Sequence, residues 1–156
     1  MIFSTELEKY NILEVTYPLP EKIMADLQNE NWQAIDQYFL EAGRPGGTLF
    51  EFLRCYLVCD SIEHIIAIRS GPDDEDGIWH DDGSRILGFT ISLNLNPELI
   101  TGGELRFKKK TEQEWQTVST RKLGKMMLFK TGFYGFEHMV TAVKNGRRII
   151  IAGWCS

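Results

Sequence analysis

Two periodicities divide the chain. Between residues 20 and 60 the apolar positions recur every three or four residues. In "NWQAIDQYFLEAG" the side chains of Trp32, Ile35 and Phe39 fall on one stripe, which predicts an amphipathic helix, and "GRPGG" predicts its end. "TLFEFLRCYLVC" predicts a second helix, opened by Thr48 and Glu51 at capping-box spacing, with Leu49, Phe52, Leu53 and Tyr56 on one face. From residue 62 the repeat shortens to two. Strands are predicted over "IEHIIAIR", "RILGFTISLNL", "GELRFKK", "EWQTVS", "KMMLFK", "FEHMVTAV" and "RRIIIAGW", separated by turns at "SGPDD", "NPE", "TGG" and "KNG".

A helical preface (1–61) followed by short strands (62–156) predicts a mainly β fold, a two-sheet barrel or jelly roll backed by helices. The last strand sharpens this. Ile149 and Ile151 point one way, and Ile150, Ala152 and Trp154 point the other. A strand apolar on both faces is covered on both, so the N-terminal helices are expected against the outside of its sheet. At 156 residues, without internal repeat or linker, one domain is expected.

Charge and cysteines narrow the function classes. A net charge of −5 argues against a general nucleic-acid binder, which needs a basic face. No window approaches the roughly 18 apolar residues of a membrane span. "MIFSTELEKY" lacks a basic start followed by an apolar run, so no signal peptide is expected. Cys55, Cys59 and Cys155 form no CxxC pair, which suits free thiols and a cytoplasmic location. Cys55 and Cys59, four apart in a helical segment, are expected to be buried structural thiols.

The candidate chemistry lies in "GIWHDDGSR". In an extended segment His80 and Asp82, two apart, project to one side. Alone, the pair reads equally as a surface turn in which Asp82 orients an imidazole. His138, in the second-to-last strand, changes that reading. Two imidazoles and a carboxylate arranged facially leave three adjacent positions on iron(II), as oxygen-activating non-haem enzymes require. Dioxygen takes one, and a bidentate oxo-acid takes two. Its far carboxylate then needs a fixed, planar cation, and Arg148 opens the last strand. A tight hairpin at "KNGR" would pair Val143 with Arg148 and turn Arg148 away from His138. The constellation therefore demands that these two strands belong to opposing sheets.

From about residue 62 onward the chain resembles the iron(II)/2-oxoglutarate-dependent dioxygenases, most closely their prolyl-hydroxylase branch. The pieces that carry the resemblance are "WHDDGSRILGFTISLNLN", "GGELRF", "GKMMLF" and "HMVTAVKNGRRIIIAGW", in the family's order. It implies a double-stranded β-helix, a jelly-roll barrel of cupin type with helices packed on one sheet. It also implies iron(II) ligands at His80, Asp82 and His138. The family's 2-oxoglutarate anchor falls on Arg148, with Arg147 as the neighbouring candidate. Where many members carry a tyrosine for the cosubstrate, this chain offers Thr90 and Ser92, or Arg69.

The implied activity is hydroxylation of an unactivated C–H bond of a peptidyl, prolyl-type or free amino-acid substrate. Iron(II), 2-oxoglutarate and dioxygen are consumed or held, and succinate and CO2 are released. A carboxylate at Asp82 leaves no vacancy for a halide, which favours hydroxylation over halogenation. A non-catalytic metal- or 2-oxoglutarate-binding barrel acting as a sensor is the alternative, and a zinc or manganese cupin is a third. Neither nucleic acid nor membrane is an expected partner, and a homodimer could supply a wall of the substrate site. Elsewhere, His64 shares a face with Ile66 and Ile68 and reads as core or edge. "DDED" (73–76) reads as a solvated loop or, alternatively, a charge screen at the site mouth. "KKK" (108–110) reads as a solvated strand edge.

Overall fold

Each strand finds its partner through the face it must bury. The computed structural model describes residues 2–156. Its N-terminal part holds α1 (Thr5–Tyr10), β1 (Ile12–Thr16), α2 (Lys22–Gln28), α3 (Trp32–Ala42) and α4 (Thr48–Leu53). The strands that follow are β2 (Ile62–Ser70), β3 (Leu87–Ser92), β4 (Thr101–Gly102), β5 (Leu105–Lys109), β6 (Gln116–Val118), β7 (Lys125–Lys130), β8 (Phe136–Val140), β9 (Val143–Asn145) and β10 (Arg147–Cys155). They form a five-stranded sheet in the order β1-β7-β3-β10-β2, a three-stranded sheet β6-β5-β8 and a two-stranded sheet β4-β9. The hydrogen bonding therefore runs in three separate sheets rather than around one closed barrel.

Strand β10 sits between β2 and β3, and both of its faces are used. Ile149 and Ile151 join Phe89 and Ile91 of β3 in a core that also holds Ile35 and Phe39 of α3 and Leu49 and Leu53 of α4. His64 of β2 lies against that helical layer, with Nε2 at 2.8 Å from Asp36 of α3. On the opposite face, Leu105, Phe107 and Val118 of the three-stranded sheet pack on Met127 and Phe129 of β7. The two larger sheets thus face each other, and the even-numbered side chains of β10 look into the space between them. Hydrophobic burial of this kind contributes about 25 cal/mol per Å2 removed from water, which is why the apolar alternation decides the layering.

Several expectations change. The stretch 1–61 is not purely helical, because β1 pairs with β7 from Ile12↔Phe129 to Thr16↔Lys125. Gly47, not Thr48, caps α4. A Cβ on Gly47 would sit 2.4 Å from the Ala42 carbonyl oxygen, and Thr48 Oγ1 instead meets the Tyr17 hydroxyl at 3.1 Å. The last helix ends at Leu53, so Cys55 is exposed and Cys59 only half-buried. Lys108 pairs with Glu137 at 3.2 Å and lies over the Trp79 ring, so the strand edge there is not simply solvated. β9 pairs with β4, and β10 with β2 and β3, so Val143 does not face Arg148. No helix among the described residues is long and apolar enough to cross a membrane.

The two faces of β10 make unequal demands. Ile151→Ala removes a fully buried side chain from the helix-backed core, and is expected to cost about 2–5 kcal/mol. Ile150→Ala borders the inter-sheet cavity and is expected to cost less. Urea unfolding of both variants checks the order.

Candidate active site

The two histidines are brought together by the backbone. His80 N–H donates to the His138 carbonyl at 3.0 Å, and His138 N–H donates to the His80 carbonyl at 2.9 Å. A directly opposed pair of this kind places both side chains on one face, and the ring centroids are 4.3 Å apart. His80 Nδ1 lies 2.9 Å from the Ile78 carbonyl oxygen. A carbonyl can only accept, so Nδ1 carries the proton and the Nε2 lone pair is left toward the cavity.

Asp82 arrives differently from the extended geometry expected. Its φ is 62°, in the left-handed region that aspartate tolerates better than most residues. Gly83 follows at φ 64°. The chain thus folds back over the imidazoles instead of running on past them. Asp81 holds the turn in place: its carboxylate accepts from Gly83 N–H at 2.9 Å and pairs with Lys110 at 2.5 Å, and its carbonyl accepts from Gly132 N–H at 2.8 Å. Asp82 Oδ1 then lies 3.4 Å from His80 Nε2, and Oδ2 lies 3.2 Å from His138 Nε2.

These donors fit a metal ion. Each residue offers one ligand atom, and the three lie within 4.8 Å of one another. Cis ligands of an octahedral first-row ion, with bonds of about 2.1 Å, stand about 3 Å apart. Asp82 Oδ2 is buried beside His138 Nε2, which suits an oxygen that would bind a cation. Burial pushes the Asp82 carboxyl upward. The hydrogen bond and charge of His138, the charge of His80 and a hydrogen bond from Trp154 outweigh that and hold it below the usual carboxylate range. Among the described residues this is the one such cluster of His, Cys, Asp or Glu.

His80, His138 and Arg148 line one cavity of ≈ 270 Å3 between the sheets, mostly apolar, with Thr90, Trp154 and Phe129 among its walls. Arg148 is only 5% exposed, and its Nε has no partner. Burial pulls the guanidinium down to about 10; the neighbouring charge of Arg69 adds to this and Asp74 opposes it. Space for the side chain comes from Gly103, at φ 65°, where a Cβ would sit 2.8 Å from Arg148 Cδ. Arg147 points outward to Glu30 at 2.6 Å.

Thr90 borders the cavity. Ser92 lies in a narrow crevice beyond it, with its hydroxyl bonded to the Arg121 carbonyl and accepting from Asn94 Nδ2 at 2.9 Å. Arg69 lines the cavity beside Arg148, its partner in register. It is held by Asp74 at 3.5 Å and the Glu75 carbonyl at 2.8 Å. The acidic run is consequently not a freely solvated loop. Asp74 accepts from Val143 N–H at 2.8 Å and Asp76 from Ala142 N–H at 2.7 Å, which clasp the loop to the sheet. Sequence analysis assigned Trp154 only a face of the last strand. Its only sequence signal was parity with Arg148 on β10, and it borders the cavity, its ring stacked by Arg85 at 4.7 Å.

Comparison with known proteins agrees with this geometry. Residues 69–156 match the family model of the 2OG-Fe(II) oxygenase superfamily. No curated protein matches the chain in sequence. Among solved structures, a Pseudomonas putida prolyl-4-hydroxylase superposes with a TM-score of 0.68 at 18% identity, over 96% of this chain and 90% of that one. A Trichoplax adhaerens prolyl hydroxylase, in complex with a hypoxia inducible factor peptide fragment, gives a TM-score of 0.62 at 13% identity, over 96% and 85%. A collagen prolyl hydroxylase of Paramecium bursaria Chlorella virus-1, in its 2OG complex, gives 0.57 at 19%, over 94% and 96%. The chain belongs to the 2OG-Fe(II) oxygenase superfamily and is an iron(II)- and 2-oxoglutarate-dependent dioxygenase.

Proposed function

We propose that His80, Asp82 and His138 hold iron(II), that Arg148 anchors the far carboxylate of 2-oxoglutarate, and that the enzyme hydroxylates an unactivated C–H bond. The substrate is a peptidyl, prolyl-type residue or a free amino acid, and succinate and CO2 leave. The observation that carries this reading is the meeting of two imidazoles of the ligand triad and one buried, incompletely partnered guanidinium in a single apolar cavity. Bound iron and cosubstrate supply the oxidising power; the protein supplies geometry and a water-poor wall.

Each residue has a defined task. Arg148 offers a permanently charged, planar donor pair at low dielectric, where a carboxylate relieves the cost of its burial. Thr90 adds a hydroxyl on the same wall, while the Ser92 hydroxyl is taken up by local bonds that shape the strand end. Trp154 lies beside Asp82 and is itself stacked by Arg85, which Glu63 holds at 2.7 Å. That chain orients the carboxylate ligand, as outer groups around metal ligands commonly do.

The mouth favours a chain-like substrate. Ile78 is 80% exposed beside His80, and Ile65 of the edge strand β2 is 51% exposed. A peptide could cover this apolar rim, and one of the similar hydroxylases was solved with a peptide fragment. Asp74 and Asp76 are clasped to the backbone, and Asp73, Glu75 and Asp76 are the exposed charges of the loop. A neutral or basic reacting end is the better match. The free thiols suit a cytoplasmic setting. Iron-loaded protein, screened with peptides and amino acids for stimulated conversion of 2-oxoglutarate to succinate, tests the reading. Failure of every substrate to raise turnover would count against it.

Three variants separate the roles. His80→Ala and His138→Ala are each expected to abolish stoichiometric iron(II) binding with the fold intact, measured by metal analysis beside circular dichroism. Arg148→Ala should weaken 2-oxoglutarate about 10- to 150-fold, the equivalent of about 1.5–3 kcal/mol, and leave iron affinity nearly unchanged. Arg147→Ala should do little, and titration calorimetry distinguishes the two. Trp154→Phe should weaken metal binding about 10- to 100-fold. Competition with a coloured chelator measures it.

A further inference from the structure

Strand β2 ends the five-stranded sheet, and one of its edges has no neighbouring strand. The parity of that edge follows from its hydrogen bonds. Ser61 and Ser156 exchange two backbone bonds at 3.2 and 3.0 Å, and Gly71 N–H donates to the Gly146 carbonyl at 3.1 Å. The ladder to β10 therefore uses the odd-numbered residues of β2, and the N–H and C=O groups of the even-numbered ones point away from it. Among the described residues, those of His64, Ile66 and Ile68 have no backbone partner. The strand carries no proline, lysine or register shift, the devices that keep a sheet edge from pairing.

The same parity divides the side chains. Even positions lie on the helix-backed face, where His64 meets Asp36 and Ile66 packs on the core. Odd positions face the space between the sheets, and Ala67 and Arg69 line the cavity together with Gly77 and His80 of the facing segment. Near Arg69 the gap to that segment is closed, since the guanidinium and Gly77 N–H both donate to the Val140 carbonyl. Farther along, Ile65 of β2 and Ile78 of the segment are both exposed, and the gap is open.

We propose that the substrate is a peptide that docks as an added strand, antiparallel to β2, and turns alternate side chains into the cavity. This rests on the peptidyl reading above and states how such a substrate is held. His64, Ile66 and Ile68 bond the peptide residues directly opposite, whose side chains share the helix-backed face. The peptide residues between them face the cavity, and their own N–H groups point outward, away from β2. A residue without an N–H costs no ladder bond there, so the cavity-facing residue can be proline. A parallel strand reverses this: the bonded N–H groups then belong to the cavity-facing residues, and a proline among them deletes a bond. Ala67, the smallest odd position of β2, leaves room for the incoming side chain. Exposed Glu63 at one end of the edge, and exposed Asp73, Glu75 and Asp76 beyond the other, suit a peptide with basic ends.

The test uses the full chain with 2-oxoglutarate and with zinc(II) in place of iron, so that binding is read without turnover. The probe is a blocked peptide as long as β2 that alternates threonine with alanine. A proline takes the central alanine position, and a lysine stands at each end. Two further versions carry backbone N-methyl groups, on the alanines in one and on the threonines in the other. Amide exchange at His64, Ile66 and Ile68, followed by NMR, is expected to slow about tenfold with the parent peptide. The alanine-methylated version should act alike, and the threonine-methylated version should lose the effect. Ile68→Pro removes one outward N–H and no bond to β10. It should weaken the peptide about tenfold and leave 2-oxoglutarate affinity unchanged. Unchanged exchange, equal effects of the two methylated versions, or undiminished binding by folded Ile68→Pro would overturn the proposal. So would slow exchange in the free chain with a dimer in sedimentation, which gives the edge to a second copy. Iron-loaded enzyme keeps the two readings apart. Succinate formation with this peptide but no protection of the edge refutes the docking alone. Protection without succinate formation counts against the peptidyl reading and leaves the edge as a peptide site.

Discussion

A single pair of reciprocal backbone hydrogen bonds, between His80 and His138, sets the terms for the rest of the site. It joins an otherwise irregular segment to β8 and fixes two imidazoles on one face before any side-chain interaction is counted. Asp82 can then complete the set only by leaving the extended conformation, and its left-handed backbone does so. Such a conformation carries a cost, and surrounding bonds must hold it in place. Asp81, with its ties to Gly83, Lys110 and Gly132, does that from outside the cavity. Two adjacent carboxylates of like sequence thus have opposite duties, one anchoring a turn and one facing the imidazoles.

The same economy governs β10. Because its alternate faces look to the helices and to the cavity, one strand both closes the core and presents Arg148 and Trp154. Core packing of Ile149 and Ile151 positions the cavity-lining Arg148 and Trp154 on either side of them, so stability and cavity geometry are coupled through the strand. Gly103 enters from the opposite side, giving the Arg148 side chain room that any larger residue would occupy.

Much of this was legible in the residues. Alternation separated Arg148 from Arg147, and the demand that Arg148 and His138 face one interior required opposing sheets, which agrees with the placement of β8 and β10 in different sheets. The helical stripes of α3 and α4 were visible because each buries one face. β1 was not, because five residues at a sheet edge carry too few alternations to stand out. The roles of Asp74 and Asp76 were hidden for a different reason. A run of four acids reads as solvated charge, and only the three-dimensional neighbourhood supplies the Val143 and Ala142 amides that two of them accept from. The positive φ of Asp82 was equally out of reach, since nothing local distinguishes it from Asp81.

The side chains of His80, Asp82 and His138 differ greatly in their access to water. Those of Asp82 and His138 are 6% and 8% exposed, whereas His80 is 47% exposed. An ion held there would have two enclosed anchors and one that solvent can challenge. Water or a competing chelator would reach such an ion first on the His80 side, while Asp82 and His138 would shield it on the other. Such a centre is suited to exchange with its surroundings rather than to permanent retention, and its occupancy would follow the supply of metal.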